Sequence, residues 1–325
     1  MKNIILVIAL TIMFSASNLL AQKTNIRNQP EELGMVSWYR NYDEAKELAR
    51  KLNKPIFILF QEVPGCATCR NYGNDVLSHP LIVDAIENEF IPLAIYNNVK
   101  GHDRDVLNQF NEPTWNNPVV RVVDTNGKGL VSRLKGNYTS FGLVNYMLIS
   151  LTAGFHGQPE YLKIAAAELE IGKMSQVSQA IYSMYCFWSG EAHLGQLDGV
   201  VATEPGFMNG KEVVRVTYNN DLIDEKTITS HAQKAQCNLE TKSSRFKVDK
   251  DPQYYLKQTN FKYLALTPLQ KTRINSAIKN GKNASTLLSP SQSEFLSKIQ
   301  NKSITNPKNL YDEGFNVAWR KMVLD

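Results

Sequence analysis

The sequence predicts an α/β fold arranged as two successive units, and three observations carry that expectation. The length of 325 residues is more than one typical domain needs and suits two, each able to bury a core. Residues 41–151 alternate segments of helical apolar spacing with short β-branched and aromatic runs. One of those runs, Ile56-Phe57-Ile58-Leu59-Phe60, has no polar face and reads as a buried strand; Val63-Pro64-Gly65 then turns the chain into Cys66-Ala67-Thr68-Cys69, which opens a helix.

Taken in order, residues 1–21 stand outside the fold. Lys2 is followed by an apolar run from Ile4 to Phe14 and then by Leu19-Leu20-Ala21, the pattern of a secretory signal cleaved after Ala21. A retained anchor is the alternative, but the run is short of the roughly 20 residues a span needs. The mature chain is therefore expected to be exported, periplasmic or secreted, with no membrane association after cleavage. Basic residues number 36 against 31 acidic ones and are dispersed, which gives no support for nucleic-acid binding.

Asn41 stands at an N-cap with Glu44 three residues on, and Tyr42, Ala45, Leu48, Ala49 and Leu52 form a helical face. After the strand and the Cys66–Val76 helix, Pro80 occupies the first position of a helix to Glu89, and Phe90–Tyr96 reads as a second strand. Val119–Asp124 is a third strand, Asn126-Gly127 a hairpin into Leu130–Leu134, and Ser140–Leu151 a closing helix. Residues from Pro159 to Gly172 form a connecting helix that Gly172 stops. The expected division is thus a signal at 1–21, a first domain at 22–155, a linker helix at 156–173 and a second domain at 174–325. Within the last, Gln179–Tyr185 is a strand and Asp224–Gln236 a helix. Thr267-Pro268-Leu269-Gln270 and Ser289-Pro290-Ser291-Gln292 each start a short helix with a capping box.

Four cysteines, Cys66, Cys69, Cys186 and Cys237, fall after the signal. Two structural disulfides are one reading of four cysteines in an oxidising compartment. The Cys66–Cys69 spacing argues instead for redox chemistry, because it closes a loop too small to staple anything. At a helix start the first sulfur meets free backbone N–H groups and the positive end of the dipole, which favours its thiolate. The second lies one turn away, close enough to form a disulfide and release whatever the first attacked. None of the five histidines has metal-ligand spacing near a cysteine pair, so neither a metal nor any other cofactor is expected.

The order helix, strand, helix, strand, strand pair, helix, with Cys66-Ala67-Thr68-Cys69 after the first strand, resembles the thioredoxin fold. The resemblance implies that Pro118 is a cis-proline facing the dithiol. More narrowly, Val63-Pro64-Gly65-Cys66 resembles the VPGUxxT family of thioredoxin-like proteins, some with selenocysteine in place of Cys66. This chain departs from it at Cys69, where the motif has threonine, and a full dithiol results.

The second half carries Cys186-Phe187-Trp188, then Gln196-Leu197-Asp198-Gly199 through Gly206-Phe207, and Gly210-Lys211-Glu212-Val213-Val214. From about Ser178 to Ala235 it resembles peptide methionine sulfoxide reductases of the A type, with a weaker echo at Gln253-Tyr254-Tyr255-Leu256. That resemblance implies an α+β domain of the ferredoxin-like plait type, with Cys186 as nucleophile and Phe187, Trp188 and Phe207 around the substrate methyl group. It further implies Glu212 as the acid. Attack would leave a sulfenic acid on Cys186, which Cys237 is placed to resolve if the fold brings it near. Phe207 replaces a tyrosine, Tyr185 replaces a glycine, and the insertion carrying another substrate-binding tyrosine is missing.

Together the two halves suggest an exported oxidoreductase whose dithiol supplies electrons to a Cys186 site that reduces methionine sulfoxide. Its partners would be peptides or proteins with oxidised methionine or cysteine, and an upstream thiol reductant. Two other readings remain: a dithiol–disulfide oxidoreductase whose second half only chooses clients, and a module that binds methionine without turnover.

Overall fold

The computed structural model describes residues 23–115, 117–171, 177–241 and 245–324; the signal at 1–21 and the boundary expected at 173–174 lie outside them. The first sheet is built around β1 (Ile56–Gln61), every residue of which is buried. Side chains alternate across a strand, so Phe57 and Leu59 enter one core while Ile56, Ile58 and Phe60 enter the other. Each such side chain contributes roughly 1.5–3 kcal/mol by leaving water. β2 (Ile91–Tyr96) pairs parallel to β1, β3 (Val119–Val123) antiparallel on the other side, and the short β4 (Leu134–Lys135) beyond it, giving the order β2-β1-β3-β4.

Helices cover both faces. α1 (Tyr42–Leu52) is capped by Asn41, whose side chain accepts from the N–H groups of Asp43 and Glu44. α2 (Ala67–Asn71) begins at Cys66 and widens into a π turn over Tyr72–Val76, where the Ser78 hydroxyl and the segment before β1 lie against Gly73. α3 (Pro80–Glu89) starts on its proline. α4 (His102–Gln109), which the sequence reading left without an element, buries Val106 and Leu107 beside β2. Its eight residues offer too few apolar positions to show a period. α5 (Ser140–Ala153) and α6 (Glu160–Ile171) complete the first core.

The second sheet is entirely antiparallel. β5 (Val177–Ser183), α7 (Phe187–Leu194), β6 (Val200–Met208), β7 (Lys211–Asn219), α8 (Glu225–Gln233) and β8 (Asn238–Leu239) run in β-α-β-β-α-β order. Their spatial order, β8-β5-β7-β6, is the split βαβ arrangement of a ferredoxin-like plait, and β9 (Lys247–Val248) extends it at the β6 edge. Both expected architectures, an α/β unit and a second α+β unit, are therefore present.

The C-terminal helices build a further core of their own around Leu256, Ile274, Phe295 and Leu310. α9 (Tyr254–Lys257) leads into α10 (Pro268–Lys279), α11 (Pro290–Gln300) and α12 (Phe315–Leu324). α10 and α11 both carry complete capping boxes at Thr267 and Ser289 and run longer than the short helices the sequence suggested. This layer touches both sheets' units. Asp84 on α3 accepts from the Ser291 N–H and hydroxyl on α11, while Arg273 on α10 donates to the carbonyls of Gly195 and Leu197 after α7. Among the described residues no helix is long and apolar enough to cross a membrane.

Candidate active sites

The first dithiol sits where β1 ends. The turn over residues 62–65 is tied down by Glu32, which accepts from the Gly65 N–H at 2.6 Å, and by Asn98, which bonds both backbone groups of Val63. Gly65 lies so close to Cys69 that an added Cβ would meet the Cys69 Cβ at 2.6 Å and the Glu62 carbonyl at 2.4 Å, so no larger residue fits. Cys66 is the N-cap of α2 and is exposed; Cys69 is fully buried one turn later, with the two sulfurs 3.7 Å apart and unbonded.

Their environments split the pair chemically. The backbone N–H of Cys69, turned toward the Cys66 sulfur, does most to hold that thiol below its ordinary value. Burial pushes Cys69 up to about 12, and the neighbouring Cys66 sulfur adds to the rise. Cys69 donates to Asn117 Oδ1 at 3.0 Å, and Asn117 precedes Pro118 through a cis bond at the start of β3. Pro118 thus follows directly on the residue that holds the Cys69 sulfur.

The second site forms at the start of α7, on the turn after β5. Cys186 is the half-buried N-cap of that helix. Glu212, second residue of β7, places its Oε2 2.8 Å from the Phe187 N–H. The helix start expected to favour the Cys186 thiolate is therefore shared with a carboxylate, and no cap hydrogen bond reaches the sulfur. Phe187 packs against Trp188 at 5.4 Å between ring centres and against Phe207 at 5.2 Å, which brings the three expected aromatic residues together.

Cys237 makes no bond to them among the described residues. It is buried in the second core, its thiol raised by desolvation and turned to the Ala235 carbonyl, with no disulfide or hydrogen bond to Cys186. Asn238 pairs with Ser183, so the register brings Cys237 level with Met184, short of the Cys186 turn.

Residues 37–125 match the family model described as thioredoxin-like. A solved structure described as DsbH oxidoreductase aligns at 16% identity with a TM-score of 0.32, over 40% of this chain and 94% of that one. Two curated proteins named peptide methionine sulfoxide reductase MsrA, from Methanococcus maripaludis strains C7 and C5, are each 33% identical over 67 residues. That similarity covers 15% of this chain and 43% of each relative, so the chain spans less than half the length of the curated relatives it matches. The chain thus contains a thioredoxin-like domain and a further region of limited similarity to those reductases.

Three residues that sequence reasoning left without a role close around Trp188. Tyr254 stacks on its indole at 4.2 Å and 13°, Asp249 Oδ2 accepts from its Nε1 at 3.4 Å, and the Tyr255 hydroxyl bonds Ser189 at 2.9 Å. The Gln253-Tyr254-Tyr255 echo was the available signal. What brings Asp249 in is the pairing of β9 with Gly206 and Phe207, which no local pattern announces.

Glu191, on the buried side of α7, fixes this wall. Its Oε2 accepts from the Gln253 N–H at 2.9 Å, and the buried Thr203 hydroxyl interacts with the same carboxyl group. Burial raises its pKa to about 8, against an ordinary 4.5, with the Gln253 N–H opposing. A carboxyl protonated more readily in the folded state than in the unfolded one makes the fold lose stability as pH rises from near 4.5 toward 8. Glu191→Gln stays neutral throughout and keeps an oxygen for Gln253. Thermal unfolding at pH 6 and pH 9 is therefore expected to show a smaller alkaline drop in the variant; equal drops would mean that Glu191 is not the titrating group.

Proposed function

We propose that this chain is an exported thiol oxidoreductase in which the thioredoxin-like dithiol passes electrons to Cys186, and Cys186 reduces methionine sulfoxide in peptides or proteins. The observation that supports the reading most directly is the constellation at the start of α7. There a half-buried thiol, three aromatic rings and the Glu212 carboxylate converge on one turn. A protonated sulfoxide is an electrophile at sulfur, so its reduction needs a nucleophile, a proton donor and an apolar seat for the methyl group.

In the proposed sequence Glu212 takes the Cys186 thiol proton and delivers it to the sulfoxide oxygen as the Cys186 sulfur attacks the sulfoxide sulfur, and the oxygen passes to Cys186 as a sulfenic acid while methionine leaves. A second thiol then displaces that hydroxyl as water and forms a disulfide. The depth of Cys237 favours Cys66 as that thiol: Cys66 forms the mixed disulfide, and Cys69 attacks Cys66 to release reduced Cys186. Two protein-sulfur electrons are consumed per sulfoxide, and an upstream dithiol restores Cys66–Cys69. Trp115 and Tyr185, 80% and 99% exposed, flank Pro118 and Cys186 and offer apolar surface to peptide clients.

The decisive experiment is turnover of a methionine sulfoxide peptide by the purified protein with a small chemical reductant. Cys186→Ser is expected to abolish turnover and Cys66→Ser to retain it, because the chemical reductant replaces the dithiol. If turnover is absent or indifferent to Cys186→Ser, the proposal fails. The exposed Cys66 and the missing hydroxyl at Phe207 favour one other reading, a dithiol–disulfide oxidoreductase acting on exported proteins with a non-catalytic second unit. Cys69→Ala would then accumulate mixed disulfides with client proteins while sulfoxide turnover is nil.

A further inference from the structure

The Glu62 side chain is the feature that dithiol exchange leaves unexplained. It stands one residue beyond β1, and its carboxylate and the sulfurs of Cys66 and Cys69 all lie within 4.8 Å of one another. No hydrogen bond or ion pair engages that carboxylate among the described residues. The cation on the same helix, Arg70, is directed elsewhere, to the Gly65 carbonyl at 2.6 Å and to Glu31 at 3.2 Å. An unpartnered anion facing two thiols is a donor set in want of a cation.

The geometry points to a binding site for one soft divalent cation, Zn2+ or its analogue Cd2+, held by Cys66 Sγ, Cys69 Sγ and a Glu62 carboxylate oxygen. Zinc–sulfur bonds of about 2.3 Å in a tetrahedron place two sulfurs about 3.8 Å apart. The sulfurs here are 3.7 Å apart, so the pair needs little rearrangement to chelate. A carboxylate completes three protein ligands, and the exposed side of Cys66 leaves the fourth position to water or an outside ligand. The cation replaces the two thiol protons, so each binding event releases two protons and oxidises nothing.

Binding and dithiol exchange exclude each other. A loaded pair has no free thiolate to attack a disulfide or a sulfenic acid, and an oxidised pair has no thiolates to hold the cation. The sequence reading found no histidine at ligand spacing; the carboxylate at the strand end takes that place. The inference does not depend on what Cys186 does.

The test is titration of the full-length, reduced, reductant-free protein with Cd2+, read by the ultraviolet thiolate-to-metal charge-transfer band and by proton release. One ion per chain and two protons per ion are expected, with no band from the Cys66–Cys69 disulfide form. Cys66→Ser should remove the band from this site. Glu62→Gln should weaken affinity at least tenfold or so, since even groups that only support a metal ligand change affinity by about 10–100-fold. An unaltered unfolding midpoint for Glu62→Gln shows that the variant is folded. Zn2+ should slow modification of Cys66 by a disulfide reagent in the wild type. A missing band, full affinity in Glu62→Gln, or a band that survives Cys66→Ser would each overturn the assignment.

Discussion

At pH 7 a small alkylating agent is expected to modify Cys66 at least about fiftyfold faster than Cys69. A thiol raised to about 12 from an ordinary 9.0 has its thiolate fraction cut by about a thousandfold. The more basic thiolate is intrinsically more nucleophilic, which restores roughly twentyfold over those three units. The remaining factor is about fifty relative to an ordinary thiol, and Cys66 lies on the favourable side of ordinary. Complete burial of the Cys69 sulfur adds to the difference. As pH rises the Cys66 rate should level off first, while Cys69 keeps gaining toward pH 12. Mass mapping of briefly alkylated, reduced protein gives the answer. Equal labelling at pH 7 would mean that the two sulfurs are not divided into an attacking and a waiting thiol.

That division was half legible in the sequence. The strand, the Pro-Gly turn and the cysteine that opens a helix follow one another within a dozen residues, and Cys66 is indeed the N-cap of α2. The same holds for the Asn41 cap and for the boxes at Thr267 and Ser289, each decided within four residues. The depth of Cys69 is not local. It depends on Asn117 approaching from the start of β3, 48 positions away. The burial of Cys237 is non-local for a similar reason: its position just past a helix says nothing of the core that α8 and β8 close over it. At the second site Phe187, Trp188 and Glu212 are singled out by the resemblance to the A-type reductases, carried by short local motifs. Asp249 and Tyr254 reach the indole only through the pairing of β9 and the fixing of Gln253 by Glu191, contacts of 61 and 62 positions. Long-range pairing assembled this wall, and sequence periodicity carries no trace of it.

Glu212→Gln should separate chemistry from architecture at the second site. The carboxylate now accepts the Phe187 N–H at 2.8 Å, a bond an amide oxygen can also accept, so α7 should start at the same residue in the variant. The carboxylate's favourable interaction with the helix dipole disappears, at a cost of about 0.3–1 kcal/mol in stability. An amide cannot deliver a proton to the sulfoxide oxygen, and a positioned general acid is worth about 10²–10⁴ in rate. Turnover of a methionine sulfoxide peptide by Glu212→Gln is therefore expected to fall by that factor in kcat, with KM little changed because the Phe187, Trp188 and Phe207 rings stay in place. Glu212→Ala removes the helix-start acceptor as well and should lose more stability than the glutamine variant for a similar loss of rate. Alkylation of Cys186 distinguishes the two parts of the effect. If Glu212→Gln leaves the Cys186 alkylation rate near wild type while kcat collapses, the carboxylate acts on the substrate oxygen. If kcat survives the substitution, Glu212 only caps the helix and the proton must come from elsewhere, with Asp249 on the Trp188 indole the next group to replace.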